Sequence, residues 1–292
     1  MKRIIYIIYL VNFIWGIGLD ALIIPQKANV IAMSGAGIAS DLDIAINPSS
    51  KVRPYLGFSN NNWLAGVSGQ KSTWIFTGDT NYFLSFESLG VNDIEYHSDN
   101  DSDPEGYISA NWYAVDFGNN FNIDKYFDNM NMQLGYNLKL NYSKLYVENS
   151  WGYTLDLGLN KEISDNFNIG FVIKNLGKQY YSSQENISIN NYVGMGISHN
   201  LNIMKSDKFY FDLVYNVDIV NHSDNNILKL GAMTKFPYLN LMFGTSQSEG
   251  YNDFSYGLSF EVENWMLIFG TLNHDNPALG TPHCIELRKY FN

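Results

Sequence analysis

Apolar and polar side chains alternate between residues 132 and 143, and this alternation limits the fold more than any other feature of the sequence. The apolar positions of the run are Met132, Leu134, Tyr136, Leu138, Leu140 and Tyr142. Because successive side chains of a β-strand point to opposite faces, the pattern predicts a strand with one apolar and one polar face. Residues 151–160 repeat the pattern after the short link VENS, which predicts a hairpin.

The same period of two recurs along the chain, for example in residues 167–173, 209–217 and 254–262. Turn residues divide the chain into segments that begin near residues 53, 64, 81, 106, 129, 150, 165, 190, 206, 226, 238, 251, 264 and 280. Antiparallel strands of even number can close into a barrel, and the core of a bilayer tolerates no unpaired sheet edge. We therefore expect an all-β protein, a single transmembrane antiparallel β-barrel of about fourteen strands.

Two further patterns favour a barrel over a soluble β-sandwich, whose strands also alternate. Aromatic side chains stand at strand ends (Tyr142, Trp151, Phe254 and Trp265), as interface girdles do, and many segments exceed about ten residues. Short connections such as GDT, KEIS and FPY also alternate with long polar ones such as DNDSDPEG, although FNIDKYFD is longer than the rule prefers. If the apolar side chains face lipid, the following polar ones face the lumen: Gln133, Asn137, Lys139, Asn141, Thr154, Asp156, Asn160, Asp212, Asn216 and Asp218.

Residues 1–21 have the layout of a cleaved secretory signal peptide rather than a retained anchor. Lys2 and Arg3 precede an apolar run that is short for a membrane span, and small residues end at Ala21. No run of about 18 apolar residues follows, so we expect no transmembrane helix. The chain has one cysteine, Cys284, so no disulfide framework supports the fold.

Little in the sequence points to chemistry. The net charge of −11 argues against a nucleic-acid partner. The five histidines are scattered without the spacing of metal ligands, and GAGIAS lacks the context of a dinucleotide fingerprint. The acidic residues of SDNDSDPEG resemble the start of a calcium loop, but Pro104 stands where glycine is needed, which favours a solvated loop. We expect no enzyme activity, no catalytic residue, no cofactor and no metal.

Residues 28–50 do not alternate, and they resemble the N-terminal signature of the PorV/PorQ family of outer-membrane proteins, which is related to the FadL-type transporters. The signature is a small-residue run, an Asp and then Asn-Pro before the first strand. The matching positions are Gly35, Gly37, Ala39, Asp41 or Asp43, Asn47 and Pro48. Looser similarities continue at Trp63, at Asn175-Leu176-Gly177 and in LGTPHCIEL, although Ser49 and Ser50 stand where the family commonly has Ala.

The resemblance implies a barrel over residues 51–292 and an N-terminal segment, residues 22–50, that folds into the lumen as a plug; a flexible leader is the alternative. It also implies a location in the bacterial outer membrane, among lipid and lipopolysaccharide. The first expected function is a type IX secretion component that binds secretion subunits or cargo proteins. The alternatives are a FadL-like passive channel for hydrophobic small molecules and a structural barrel without a transport role.

Overall fold

The computed structural model describes residues 24–63, 68–77, 81–96, 106–125, 130–145, 148–181, 187–206, 209–223, 225–275 and 281–291. The predicted signal peptide and the acidic loop around Asp101 lie outside these residues. The first element is a short helix, α1 (Ala28–Ala32). One 3-10 turn, Ile123–Lys125, lies within the long link predicted after the fourth strand.

Within the residues that the structure describes, fifteen β-strands follow α1. They are β1 (Tyr55–Asn62), β2 (Ser68–Thr77), β3 (Asn81–Tyr96), β4 (Gly106–Asn122), β5 (Met132–Leu145), β6 (Glu148–Ser164), β7 (Phe167–Tyr181), β8 (Ile187–Ser188), β9 (Tyr192–Lys205), β10 (Tyr210–His222), β11 (Asn225–Lys235), β12 (Leu239–Ser248), β13 (Tyr251–Val262), β14 (Trp265–Asn273) and β15 (His283–Tyr290).

All the strands but β8 form one closed antiparallel barrel. Each strand pairs with its neighbours in sequence, and β1 pairs with β15 from Tyr55↔Tyr290 to Asn62↔His283, which closes the wall. The two-residue β8 only extends the edge of β7, opposite Lys178 and Gln179. Without β8 the wall has fourteen strands, and the predicted fold is confirmed.

The alternation of side chains decides which face of each strand points inward. Along β5, Gln133 and Asn141 are buried while Leu138 and Leu140 are exposed, and β6 shows the same alternation at Asp156 and Leu157. The aromatic residues expected at strand ends also lie on the outer surface, with Trp151 56% exposed and Trp265 47% exposed.

One predicted connection is wrong. The residues KEIS, 161–164, were expected to link two strands, but they continue β6, because Lys161 pairs with Ile169 and Ser164 with Phe167. Asp165 and Asn166 connect β6 with β7, so the turn is shorter than predicted. Among the residues that the structure describes, no helix is long and apolar enough to cross a membrane.

The short links after β6, β11 and β13 lie at one end of the barrel, which we call the turn end; the other is the loop end. Residues 51–54 and the end of β15 are also at the turn end. Residues 24–50, the lumenal segment, lie inside the barrel, where α1 is fully buried. The apolar core therefore forms inside the lumen, between this segment and the wall.

Candidate functional site

The residues predicted to form the plug motif contact the wall at several separate places. Gly35 and Gly37 have φ of +70° and +132°, a backbone conformation that favours glycine. Asp43 and Asn47 are fully buried. Asp41 is exposed and accepts a hydrogen bond from the Lys51 N–H at 2.7 Å.

Asp43 lies in a buried group of charges that joins the lumenal segment to the wall. Its carboxylate accepts hydrogen bonds from Lys27 Nζ at 2.8 Å and from Arg288 Nη2 at 2.9 Å. Glu286 pairs with Arg288 at 2.6 Å and also accepts the N–H of Ala28. Burial alone would raise the pKa of Asp43, but Lys27 and Arg288 outweigh burial and hold this pKa well below its ordinary value.

The segment contacts both closing strands of the wall, β1 and β15. On β1, Tyr55 Oη accepts from Lys27 Nζ at 2.7 Å, and the side chains of Ser59 and Asn61 donate to main-chain oxygens of Gln26 and Pro25 at 2.5 and 2.7 Å. On β15, Glu286 and Arg288 hold Ala28 and Asp43. Residues 25–28 thus bridge the two strands whose pairing closes the barrel.

A series of inward-facing glycines lets the segment approach the wall. These wall glycines are Gly135, Gly158, Gly170, Gly196, Gly231, Gly244, Gly257 and Gly270. A Cβ atom at Gly270 would lie 2.0 Å from the Ala28 carbonyl oxygen, and one at Gly135 would lie 2.3 Å from the Pro48 carbonyl oxygen. The close approach is possible only because these positions have no side chain.

The sequence analysis missed the wall glycines, although a signal was present. Gly135 and Gly158 occupy inward positions of two strands that were predicted correctly, and they pair directly with each other. Glycine in the interior of a strand weakens it and often marks the close approach of another backbone. Ala39 and Asn47 of the motif lie against Gly170 and Gly158, so motif and wall are complementary in shape.

Asp218 on β10 binds the lumenal segment at Gly37, a glycine with positive φ. Its Oδ2 atom accepts hydrogen bonds from the Gly37 N–H at 2.6 Å and the Ile38 N–H at 3.1 Å, and its side chain is fully buried. Asn47 Nδ2 donates to the Ile38 carbonyl oxygen at 2.7 Å from the other side. One wall carboxylate and one motif amide therefore fix residues 37–38.

The two sides of the lumen differ in chemistry. On the β2–β5 side, Lys71 bridges Glu87 at 2.7 Å and Asp116 at 3.2 Å, and Lys139 bridges the same carboxylates at 2.5 and 3.5 Å. All four side chains are close to fully buried. Two cations face two anions, so this side is charged but locally neutral.

The β12–β15 side carries an apolar cluster next to the buried charges of Glu286 and Arg288. Ile31 and Met33 of the lumenal segment pack against inward-facing side chains of the wall in one continuous cluster. Its other members are Ala28, Ala32, Met242, Ile268, Leu272 and Cys284, with Leu42, Trp63, Met233 and Met266 packed at its margin. The cluster extends from Trp63, next to the loop end, to Met266, near the turn end.

The apolar cluster ends at a cavity of about 490 Å³ at the turn end, which we call the vestibule. Asp41 and Leu42 of the lumenal segment contribute to its lining. The wall contributes inward-facing residues from β7 to β15, among them Asn216, Met233 and Arg288. Of the residues that the structure describes, none form a group of three or more side chains suited to a metal ion.

No family model matches the chain, and no curated protein matches it. Solved structures do. The toluene transporter TbuX of Ralstonia pickettii aligns with a TM-score of 0.58 and 13% identity, over 91% of this chain and 98% of that one. The toluene transporter TodX of P. putida aligns with a TM-score of 0.62 and 10% identity, over 91% and 98% of the two chains. At these identities the likeness establishes a shared fold, a closed antiparallel β-barrel of the kind that these transporters have.

Proposed function

We propose that the chain is a bacterial outer-membrane barrel that acts as a passive channel for hydrophobic small molecules, with the lumenal segment as its plug. The observation that carries this proposal is the continuous apolar cluster between the segment and β12–β15, which ends at the vestibule. An apolar solute that passes along this cluster contacts apolar side chains, whereas one that passes along Lys71 and Asp116 has to desolvate charged groups. The transporters that share the fold are named for toluene, which supports this substrate class.

In this proposal residues 1–21 direct export, the turn end faces the periplasm, and the loop end faces outward. Short periplasmic turns and longer external loops are usual in such barrels. The outer wall carries the exposed apolar side chains that lipid requires, such as Leu140 and Phe260. The chain performs no chemistry on its solute.

A passage opens when the segment between α1 and Ala36 moves away from β11–β14. This part contacts the wall through glycines, apolar groups and two hydrogen bonds at Ser255, whereas residues 25–28 are held by a series of hydrogen bonds to both closing strands. Ser34 Oγ lies 2.7 Å from Ser255 Oγ on β13, in the middle of the part that moves. Cysteines at these two positions are therefore within reach of a disulfide.

The test is the uptake of labelled toluene by Gram-negative cells that express the chain, because their lipopolysaccharide leaflet slows apolar solutes. We expect faster uptake than in cells with empty vector, and a loss of this gain in the Ser34→Cys/Ser255→Cys variant under oxidising conditions. Cys284→Ala removes the native thiol from every variant, and the two single-cysteine variants are the controls. A locked variant that conducts as well as its reduced form would show that the segment does not gate the passage.

The second candidate is a type IX secretion component that binds partner subunits or cargo proteins. One observation favours it: Asn47 and Pro48, which end the PorV/PorQ-like motif, lie against Gly158 and Gly135, so the motif has a matching surface in this wall. Affinity purification of the tagged chain from gently solubilised outer membranes tests this role. Secretion subunits or cargo proteins that co-purify would support it, whereas a barrel that purifies with lipid alone would count against it.

A further inference from the structure

The vestibule has a chemistry that the passage of an apolar solute does not require. Inward-facing uncharged polar side chains form a row across three strands, in which Asn168 pairs with Ser198 and Ser198 pairs with Asn216. Asn200 on β9 and Asn240 on β12 also line the cavity. A wall that only releases a hydrocarbon does not need amide and hydroxyl side chains around the vestibule.

Two of these amides, those of Asn200 and Asn216, have a side-chain oxygen without a hydrogen-bond donor among the described residues. Asn216 is 2% exposed, and its Oδ1 atom has no hydrogen-bond donor within the part of the chain that the structure describes. A buried amide oxygen left without a partner costs about 1–3 kcal/mol, so such atoms usually meet a ligand or an ordered water molecule. Because Asn216 lines the vestibule, a molecule bound there can supply the missing donor.

Next to the polar row lies an apolar patch. Val214 pairs with Met233, and Met233 pairs with Met242, so three apolar side chains on adjacent strands face the same cavity. Methionine adapts its shape to what it contacts. The vestibule therefore offers hydrogen-bonding groups along one edge and a deformable apolar surface beside them.

Charges of both signs line the vestibule: Lys51, Arg53, Lys235 and Arg288 on one hand, and Asp41, Asp165 and Glu261 on the other. Arg53 pairs with Glu261 at 2.5 Å, Arg288 pairs with Asp43 at 2.9 Å, and Asp41 accepts the Lys51 N–H at 2.7 Å. An ionic ligand of either sign would meet charges of its own sign in this lining, which favours a neutral ligand. The volume of about 490 Å³ falls within the range of about 300–1,000 Å³ that is usual for small-molecule sites.

We propose that the vestibule binds a neutral molecule that has hydroxyl groups along one edge and an apolar face, the chemistry of a pyranose sugar. A peptide is the less suitable occupant, because extended peptides usually add to a free sheet edge and the wall strands that line the vestibule are paired on both sides. This site goes beyond the proposed channel and does not depend on it, since a closed barrel can bind at its turn end.

The experiment uses the purified full chain in nanodiscs, free of glycoside detergent, with maltose and cellobiose as probes and calorimetry as the readout. We expect saturable binding of at least one disaccharide. Asn216→Val should weaken that binding at least tenfold. Asn221→Val is the matched control, because Asn221 is an asparagine of the same strand on the outer face, and it should bind as the parent does.

Each outcome decides the matter. Binding that Asn216→Val weakens and Asn221→Val leaves unchanged supports the site, provided that both variants keep the shift in gel mobility of a folded barrel. No saturable heat with either sugar, or equal binding by the two variants, overturns it, and Asn216 then meets water only. Binding of the neutral peptide trialanine amide, with no binding of sugars, would assign the vestibule to peptides and also overturn the proposal. Toluene uptake is measured separately, so failure of the channel leaves this result standing.

Discussion

Replacing Asp218 with alanine should release the lumenal segment without unfolding the barrel. The substitution removes two hydrogen bonds from a charged acceptor, at 2.6 and 3.1 Å, and leaves the N–H groups of Gly37 and Ile38 buried. Hydrogen bonds to charged groups contribute about 1.5–3 kcal/mol each. Allowing for water that enters the space left by the carboxylate, we expect a loss of about 3 kcal/mol, which corresponds to about a hundredfold more opening.

Hydrogen–deuterium exchange of the amides of residues 36–39 measures this opening directly. Asp218→Ala should exchange about a hundredfold faster there, while amides of β12 and β13 keep their protection. The exchange rate of these amides in Asp218→Asn should lie between the rates in the parent and in Asp218→Ala, because an amide oxygen can still accept both N–H groups but carries no charge. Asp212→Ala, a change on the same strand and the same face, opposite Lys235 at the turn end, is the control. Unchanged exchange at Gly37 and Ile38 in Asp218→Ala would refute the role of this carboxylate in holding the segment.

Two further predictions concern the other contacts of the segment. Gly270→Ala should displace α1, because the new Cβ would lie 2.0 Å from the Ala28 carbonyl oxygen. We expect this variant to lower the free energy of unfolding by about 1–3 kcal/mol. Gly106→Ala is the control and should leave stability unchanged, because its Cβ would have nothing within 4 Å. The temperature at which gel mobility shifts compares the two, and equal temperatures would contradict the close-approach argument. Arg288→Met should cost about 3–5 kcal/mol, because it leaves Asp43 and Glu286 without their shared cation. Since the pKa of Asp43 is depressed, the stability that Asp43 contributes is present above its unfolded pKa of about 4 and is lost as the pH falls further, through the folded pKa. Proteolysis of the segment at pH 7 and at pH 3 tests this, and equal protection at both would contradict it.

Sequence patterns alone determined the wall. Alternation along β5 and β6 identified two strands and their inward faces, and turn residues located the starts of all fourteen barrel strands to within a few positions. The strands can be predicted because the period of two is a local property of the backbone. Closure can be predicted because an even set of paired strands leaves no free edge only when its first and last strands pair. The connection at residues 161–164 was the exception, because polar residues there suggested a turn where pairing with β7 extends the strand.

The contacts of the lumenal segment were decided only by the tertiary structure. Motif residues such as Gly37 and Asn47 were identified from the sequence, but Asp218 is 181 residues away from Gly37, and Arg288 is 245 residues away from Asp43. Which wall residue meets which segment residue depends on the register of every strand pair between them and on the closure of β1 against β15. A shift of one residue in a single pair would turn the side chains of a strand to the other face, so no local pattern in the sequence encodes these contacts.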